Sequence, residues 1–435
     1  MTDTYHVRPG GALRGSLRVP GDKSISHRAI MLGAIAQGVT EVTGFLEGED
    51  ALATMNAFRA MGVRIEGPDQ GRVTVHGVGK HGLKAPGRPL DCGNSGTSMR
   101  LLAGLLSGQG FAATLTGDDS LRRRPMGRVA QPLSLMGARI ETEAGGLPPV
   151  RILPAPPLHG IHYDLPVASA QVKSAILLAG LYAVGETSVT EPEPTRDHTE
   201  RMLTAFGYAV TREGATARLR GQGELKATPI DVPADISSAA FFMVGASIAP
   251  GSDITLTGVG INPTRTGIID ILKLMGADLT LQNQRLAGGE PVADIRVRHA
   301  PLRGIAVPES LVALAIDEFP ALFVAAANAE GETVVTGAEE LRVKESDRIQ
   351  VMADGLQALG IAAQPTPDGM VIQGGKPYGG GVIDSRGDHR IAMSFAMAAL
   401  RAGAPLTIRD CANVATSFPG FATLAAQAGL GLDGA

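Results

Sequence analysis

The chain has 435 residues, of which 44% are hydrophobic and 19% charged, and this predicts a folded protein of two or three domains rather than a disordered one. Its 39 basic and 43 acidic residues leave a formal net charge of −4, which argues against a general nucleic-acid or membrane binder and confines any anion site to a local cluster. Two cysteines exclude a disulfide scaffold, and without a leader pattern or an apolar run that spans a bilayer we expect a cytoplasmic protein.

Six segments share one pattern, in which a helix-period stretch ends in glycine followed by an apolar residue. The glycines are 75, 70, 69, 84 and 69 residues apart. Glycine there is typical of the position just after a helix, where φ is positive. The residues that follow often alternate, as in 63–66, and so predict a strand. The six glycines are Gly62, Gly137, Gly207, Gly276, Gly360 and Gly429.

Six further helix-like stretches, rich in small apolar residues, lie between these segments. Because they are apolar nearly all round, we expect them to be buried. Most are followed by glycine and a Thr-rich strand, as in 38–44 and 331–337. The stretches are 29–36, 99–106, 173–184, 238–248, 320–329 and 391–400.

Together these patterns predict an α/β fold built from a strand–helix–strand–helix–strand unit of about 70 residues, repeated six times. Solenoids and propellers fit less well, because the unit is too long and too helical. We expect two pseudo-symmetric domains of three units each. One comprises 1–20 plus 236–435 and the other 21–235, with the active site in the cleft between them.

Cations occur at the starts of many of these helices, beside Asp, Asn and Ser residues that are ordinary N-caps. A cation in the first turn opposes the positive end of the helix dipole by about 0.3–1 kcal/mol, and a bound anion removes that penalty. Since the clusters recur at equivalent places, we favour one cleft for a ligand with at least two anionic groups over scattered surface charge. The cations are Lys23, Arg124, Lys173, Arg196, Arg265, Arg348 and Arg390.

Asp317 and Glu318 interrupt the apolar run 311–329. They are either an N-cap pair or carboxylates in partly apolar surroundings that include a general base. The residue pattern leaves both interpretations open.

Six motifs follow one another along the chain, at 21–28, 94–97, 124–125, 169–173, 342–348 and 388–390. Their residues and their order resemble those of the 5-enolpyruvylshikimate-3-phosphate synthase family over almost the whole chain. The resemblance implies a two-domain inside-out α/β barrel of six units, which agrees with the repeat count. It also implies transfer of the enolpyruvyl group of phosphoenolpyruvate to the 5-hydroxyl of shikimate 3-phosphate, without metal or organic cofactor. We expect a monomer with these small molecules as its partners, and neither nucleic acid nor membrane.

The resemblance also assigns site residues. The catalytic candidates are Asp317 as proton acceptor at the 5-hydroxyl, Lys344 with Glu345 for proton transfer, and Lys23. The expected shikimate 3-phosphate contacts are Lys23, Ser24, Arg28, Ser169, Ala170 (by its backbone N–H), Gln171, Arg196, Asp317 and Lys344. The expected phosphoenolpyruvate contacts are Lys23, Asn94, Gly96, Arg124, Gln171, Arg348 and Arg390.

The resemblance leaves alternatives and departures. A UDP-N-acetylglucosamine enolpyruvyl transferase is disfavoured because the loop 117–124 lacks a cysteine, and a terminal-phosphate cyclase-like or non-catalytic phosphate binder because of Asp317 and Lys344. Thr416 stands where part of the family has Lys.

Four motifs resemble the class II, glyphosate-tolerant bacterial subgroup, but Gly96 lacks the methyl that some tolerant members have, so we expect partial tolerance. These motifs are 21–24, 169–173, 196–200 and 262–265.

Overall fold

The computed structural model describes residues 3–433, in which helices and strands alternate. The α-helices are α1 (Lys23–Ile35), α2 (Glu49–Ala60), α3 (Gly96–Ser107), α4 (Gly127–Leu135), α5 (Ala170–Gly180), α6 (His198–Ala205), α7 (Ile236–Ile248), α8 (Gly267–Leu274), α9 (Phe319–Asn328), α10 (Arg348–Ala358), α11 (His389–Ala398) and α12 (Phe421–Ala428). The strands are β1 (Thr4–Val7), β2 (Arg14–Leu17), β3 (Gln37–Thr43), β4 (Arg64–Asp69), β5 (Arg72–Val78), β6 (Leu90–Asp91), β7 (Ala113–Thr116), β8 (Arg139–Glu143), β9 (Leu147–Leu153), β10 (His162–Asp164), β11 (Glu186–Thr190), β12 (Val210–Glu213), β13 (Thr216–Arg220), β14 (Ile230–Asp231), β15 (Asp253–Gly260), β16 (Asp278–Ala287), β17 (Glu290–Arg298), β18 (Gly331–Val335), β19 (Ala362–Thr366), β20 (Gly369–Gly374), β21 (Gly381–Asp384), β22 (Leu406–Arg409) and β23 (Leu432–Asp433).

These strands form six small sheets with a recurring order. In β6-β7-β9-β8, the first pair is parallel and the next two pairs are antiparallel. The same order recurs in β14-β3-β5-β4, β10-β11-β13-β12 and β21-β22-β1-β23. In the three-stranded sheet β18-β20-β19, isolated parallel bridges from Arg303 to Glu330 and from Ala306 to Val334 take the place of a fourth strand. In the sixth sheet, β16-β17-β15-β2, the pair β2-β15 is parallel and the pair β15-β17 is antiparallel. The predicted sixfold repeat is therefore present.

The described chain divides into two compact units with a hydrophobic core each. The first unit comprises the described residues up to 20, Pro233–Leu286 and those from 290 onward; the second comprises Gly21–Val232 and Ala287–Gly289. The chain returns to the first unit after Val232 rather than after residue 235. The reason is local: Val232 N–H donates to Thr43 O at 2.9 Å in the second unit, whereas Asp235 N–H donates to Pro20 O at 2.8 Å in the first.

The odd-numbered helices are the buried ones. Every residue of α7 is buried, and α5 is buried from Val172 to Gly180, as expected for helices that are apolar all round. The predicted helix 173–184 runs too far, since α5 ends at Gly180. No helix in residues 3–433 combines the length and apolarity needed to cross a bilayer.

The even-numbered helices each end just before a glycine with positive φ, which confirms the predicted helix ends. Only glycine adopts this conformation without a steric penalty on Cβ. The φ values are 87° at Gly62, 96° at Gly137, 78° at Gly207, 94° at Gly276, 87° at Gly360 and 114° at Gly429.

Candidate active site

In the second unit, the N-terminus of α1 brings Lys23 and Ser24 together. Asp22 caps the helix by accepting a hydrogen bond from the Ile25 N–H at 2.9 Å. Lys23 Nζ lies 2.9 Å from Asp50 Oδ2, so a carboxylate on α2 holds this cation at the positive end of the helix. An anion bound here meets both the helix end and the ammonium group.

Arg28, one turn further along α1, is buried and held by three hydrogen bonds. Its Nε donates to Thr199 Oγ1 at 2.7 Å, its Nη2 to Ser174 Oγ at 2.8 Å and its Nη1 to Ser24 O at 3.0 Å. One guanidinium group thus connects α1, α5 and α6. No sequence pattern pointed to Ser174 and Thr199 as partners of Arg28, since hydroxyls inside helices are common and Arg28 is distant along the chain.

Gly96 begins α3, after Ser95 has capped the helix by accepting from the Ser98 N–H at 3.0 Å. A Cβ added at Gly96 would lie 2.8 Å from Arg124 Nη1 and 2.9 Å from Arg100 Nη1. Two guanidinium groups therefore approach the backbone of the first helical residue. Two cations beside a helix start form an arrangement that suits an anion, and the sequence analysis did not single out Arg100 as part of it.

Gln171, on the first turn of α5, is oriented by α3. Its Oε1 accepts a hydrogen bond from Arg100 Nη1, and its Nε2 donates to Thr97 Oγ1 at 2.9 Å. Thr97 and Arg100 are three residues apart and so lie on the same face of α3. These two contacts distinguish the oxygen from the nitrogen of the amide and fix the orientation of the Gln171 side chain.

The other predicted residues of this unit lie at helix starts or in loops. Ser169 Oγ caps α5 by accepting from the Val172 N–H at 3.4 Å, and Ala170 begins that helix. Asn94 Nδ2 donates to Asp118 Oδ2 at 2.7 Å just before α3. Arg196 is partly buried in the segment between β11 and α6. Their ligand contacts remain predictions.

Lys173 does not carry the role that its place at a helix start predicted. Its side chain is fully buried, and Nζ lies 2.9 Å from Glu191 Oε2 and 2.8 Å from Glu200 Oε1. The carboxylates, rather than a bound anion, compensate its charge. The interpretation of Lys173 as an anion-binding cation is therefore wrong, because two acids distant in sequence meet it in the fold.

In the first unit, Asp317 faces two cations. Its Oδ1 lies 3.6 Å from Lys344 Nζ and 3.4 Å from Arg348 Nη1. The helix α9 begins at Phe319, so Asp317 precedes the N-cap position, and its carboxylate is directed to the cations. Of the two open interpretations, the N-cap pair is wrong, and a carboxylate set beside an ammonium and a guanidinium group is what the fold provides.

Arg348 is almost completely buried. Its Nε donates to Asp388 Oδ2 at 2.8 Å, and its Nη2 donates to Glu345 Oε2 at 2.6 Å. Burial by itself lowers the pKa of this guanidinium, but the carboxylates of Asp388 and Glu345 outweigh it and raise the pKa above its ordinary value. The side chain is thus a fixed positive charge beside Asp317.

Arg390, at the start of α11, lies close to Asp317. Its Nη1 donates to the backbone carbonyl of Asp317 at 3.1 Å, and Asp388 caps the helix by accepting from the Arg390 N–H at 3.0 Å. Burial and then the like charge of Arg348 lower the pKa of Arg390, while Glu318 acts in the opposite direction. Two buried guanidinium groups near one carboxylate suit a ligand that is itself an anion.

Arg265 departs from its predicted role in the way Lys173 does. Its side chain is buried, and Nη2 lies 3.4 Å from Asp235 Oδ1 and 3.6 Å from Glu318 Oε1. The same Nη2 donates a hydrogen bond to Ser237 Oγ at 2.6 Å. The Ser237 hydroxyl in turn donates to Glu318 Oε1. This cation is therefore neutralised within the first unit, and the sequence showed neither Glu318 nor Ser237 as its partner.

Comparison with known proteins identifies the family. The family model described as EPSP synthase (3-phosphoshikimate 1-carboxyvinyltransferase) matches residues 7–424. The chain belongs to the EPSP synthase family. It is 70% identical over 428 residues to the 3-phosphoshikimate 1-carboxyvinyltransferase of Alkalilimnicola ehrlichii, covering 98% of this chain and 96% of that one. The enzyme of the same name from Methylococcus capsulatus is 68% identical, with 99% and 98% covered.

Solved structures agree with this family. The EPSP synthase of Acinetobacter baumannii matches with a TM-score of 0.89 and 63% identity, over 99% of both chains. The enolpyruvyl transferase NikO of Streptomyces tendae matches with a TM-score of 0.79 at 20% identity, again over 99% of both, which speaks to the fold alone. The predicted α/β fold of enolpyruvyl transferases is thereby confirmed.

One position departs from part of the EPSP synthase family. Thr416 is buried, and its Oγ1 donates to Asn413 O at 2.7 Å within a short 3₁₀ turn. A neutral hydroxyl engaged with its own turn does not replace the lysine ammonium found in other members.

Proposed function

We propose that the chain is a 3-phosphoshikimate 1-carboxyvinyltransferase. It transfers the enolpyruvyl group of phosphoenolpyruvate to the 5-hydroxyl of shikimate 3-phosphate and releases phosphate, a step of aromatic amino-acid biosynthesis. The observation that carries this is 60–70% identity to enzymes of that name over nearly the whole chain.

The site residues act as follows in this proposal. Asp317 takes the proton of the 5-hydroxyl as the oxygen bonds to C2 of phosphoenolpyruvate, and Lys344 or Glu345 protonates the CH₂ carbon. The tetrahedral adduct then loses a proton from that methyl carbon and expels phosphate, which restores the double bond. The 3.6 Å between Asp317 Oδ1 and Lys344 Nζ supports this pairing of an acceptor with a donor.

The cations bind the substrates and stabilise the departing phosphate. We assign Lys23, Arg124, Arg348 and Arg390 to phosphoenolpyruvate, and Lys23, Ser24, Arg28 and Arg196 to shikimate 3-phosphate. Both substrates carry a carboxylate and a phosphate, which accounts for the excess of cations at helix starts.

The alternative acceptor, UDP-N-acetylglucosamine, is disfavoured by the cysteines. Cys92 and Cys411 are both buried. Burial raises the pKa of both thiols, that of Cys411 to about 12, so neither is a thiolate near neutral pH. A transferase that depends on a reactive loop cysteine needs the opposite environment.

Finer properties are also proposed. We assign the chain to the class II, glyphosate-tolerant subgroup, supported by its four motifs and by the ion pair that joins the last residues of two of them, Lys173 and Glu200. We expect a monomer. The cytoplasm is expected because two free cysteines suit a reducing compartment.

The test is phosphate release from phosphoenolpyruvate with shikimate 3-phosphate as acceptor, with NMR of the enolpyruvyl ether product. Unphosphorylated shikimate serves as the matched control, because it keeps the hydroxyl and lacks the second anion. Release that requires UDP-N-acetylglucosamine instead would assign the chain to the other transferase.

A further inference from the structure

Glu318 directly follows Asp317, the predicted base, in the chain. Its side chain is buried and takes no part in the proposed chemistry. It is 2% exposed, and its carboxylate is bound to Ser237 Oγ and lies 3.6 Å from Arg265 Nη2. Glu318 occupies the N-cap position of α9, yet in the described structure its side chain makes no capping hydrogen bond there. A carboxylate at an N-cap that binds elsewhere needs another explanation.

We propose that Glu318, through Ser237 and Arg265, is a positioning residue for Asp317 and Arg390. The inference rests on the proposed function, since it concerns how that reaction's base and one of its phosphoenolpyruvate contacts are held. The proposal names an anchor in the first unit that holds the reacting groups without touching substrate. The anchor consists of the side chains of Asp235, Ser237, Arg265 and Glu318.

The connection runs through one peptide plane. The carbonyl of Asp317 and the N–H of Glu318 belong to the same planar unit, so they turn together. The Glu318 N–H donates to Ala315 O at 2.9 Å, and Arg390 Nη1 donates to the Asp317 carbonyl at 3.1 Å. Fixing Glu318 therefore fixes the orientation of the acceptor that holds Arg390.

Hydrogen bonds and ion pairs among its own members hold the anchor together. Arg265 Nη2 donates to Ser237 Oγ at 2.6 Å, which leaves the Ser237 proton for Glu318. Asp235 Oδ1 accepts from the Ser237 N–H at 2.8 Å and lies 3.4 Å from Arg265 Nη2. All four side chains are buried, so removal of one leaves the others to find new partners without water.

Charge supports the same arrangement. Arg390 and Arg348 are two buried guanidinium groups that repel each other, and Glu318 and Asp235 offset that repulsion from the side of α7 and α9. Without the Glu318 charge, Arg390 is free to move away from Arg348 and from the Asp317 carbonyl. Both the position of the base and the phosphoenolpyruvate contact then change.

The test compares Ser237→Ala with Ser247→Ala. Both serines are buried on α7, but Ser247 Oγ donates only to Met243 O at 2.8 Å among the hydrogen bonds of the described structure. Glu318→Gln is the second variant, in case Ser237→Ala folds poorly. We expect both anchor variants to lower kcat/KM for phosphoenolpyruvate about 10- to 100-fold. Ser247→Ala should stay within about twofold of the parent.

An Asp317→Asn background separates positioning from general stability. Because Asp317→Asn keeps the backbone carbonyl that accepts from Arg390, adding Ser237→Ala there should still raise the KM for phosphoenolpyruvate, but it should lower the residual kcat by less than about twofold, measured at high enzyme concentration. An equal loss of kcat in both backgrounds, or a lower Tm with unchanged kcat/KM, overturns the proposal. Failure of the proposed function is distinct, because the parent chain itself would then release no phosphate.

Discussion

Gly96 is the residue at which the smallest change should alter ligand choice. Two arginine side chains, Arg124 and Arg100, lie where its Cβ would be. Because these are the ends of flexible side chains, an added methyl displaces them rather than the backbone. The displacement changes the space and the cations available to an anion at the start of α3.

We therefore expect Gly96→Ala to weaken glyphosate, which is longer than phosphoenolpyruvate, by about 1–3 kcal/mol. Phosphoenolpyruvate should lose less. The inhibition constant and the phosphoenolpyruvate KM are measured for both forms. Gly87→Ala is the control, since an added Cβ there meets no described atom within 4 Å. Equal losses for both ligands would contradict the crowding argument.

Asp317 and Lys344 carry the second prediction at this scale. Asp317→Ala should remove most turnover while shikimate 3-phosphate still binds, because the carboxylate acts mainly on the moving proton. Lys344→Met should do the same. Turnover is followed by phosphate release and binding by calorimetry. A near-normal rate in Asp317→Ala would leave this residue with a structural role only.

At the scale of elements, the buried ion group around Lys173 ties α5 to α6 and to the end of β11. Lys173→Met leaves Glu191 and Glu200 buried without their ammonium partner. We expect a loss of about 3–5 kcal/mol in the free energy of unfolding, measured by urea denaturation. The surface variant Arg296→Met, which breaks an exposed pair with Asp253, should cost at most about 1 kcal/mol. Equal effects of the two variants would contradict a structural role for Lys173.

How far the sequence predicts these elements depends on whether the cause is local. The glycine after each even-numbered helix and the small-apolar composition of α7 act within one element, so both were predictable. Lys173 and Arg265 looked like anion-binding cations, because nothing near them in the chain announces Glu200 or Glu318. Their partners lie on other elements, and pairing between elements depends on tertiary packing.

At the scale of the whole molecule, His27 links folding to pH. It is buried, with Nδ1 2.8 Å from Thr54 Oγ1, and burial, followed by the charges of Lys23 and Arg28, lowers its pKa well below 6.5. The unfolded chain takes up a proton below about pH 6.5, whereas the folded chain does not. The contribution of His27 to the free energy of unfolding is therefore fully present above that pH. Below it, this contribution falls by up to about 1.4 kcal/mol per pH unit.

We expect Tm to drop between about pH 7.5 and about pH 5.5, and His27→Asn to remove this part of the drop. Asparagine keeps a polar atom near Thr54 but takes up no proton. The half-exposed His162→Asn controls for loss of an imidazole. The same slope in parent and His27→Asn would show that other groups govern the acid range.

The pairing of β1 has a consequence for synthesis on the ribosome. Thr4 pairs with Arg409, and β2 pairs with β15, so the first strands to emerge need partners made much later. At roughly 5–20 residues per second, β1 waits roughly 20–80 s for β22. Residues 21–232, by contrast, hold nearly all of the second unit in one continuous stretch. Translation therefore delivers the second unit first, and its completion precedes closure of the sheet that β1 begins.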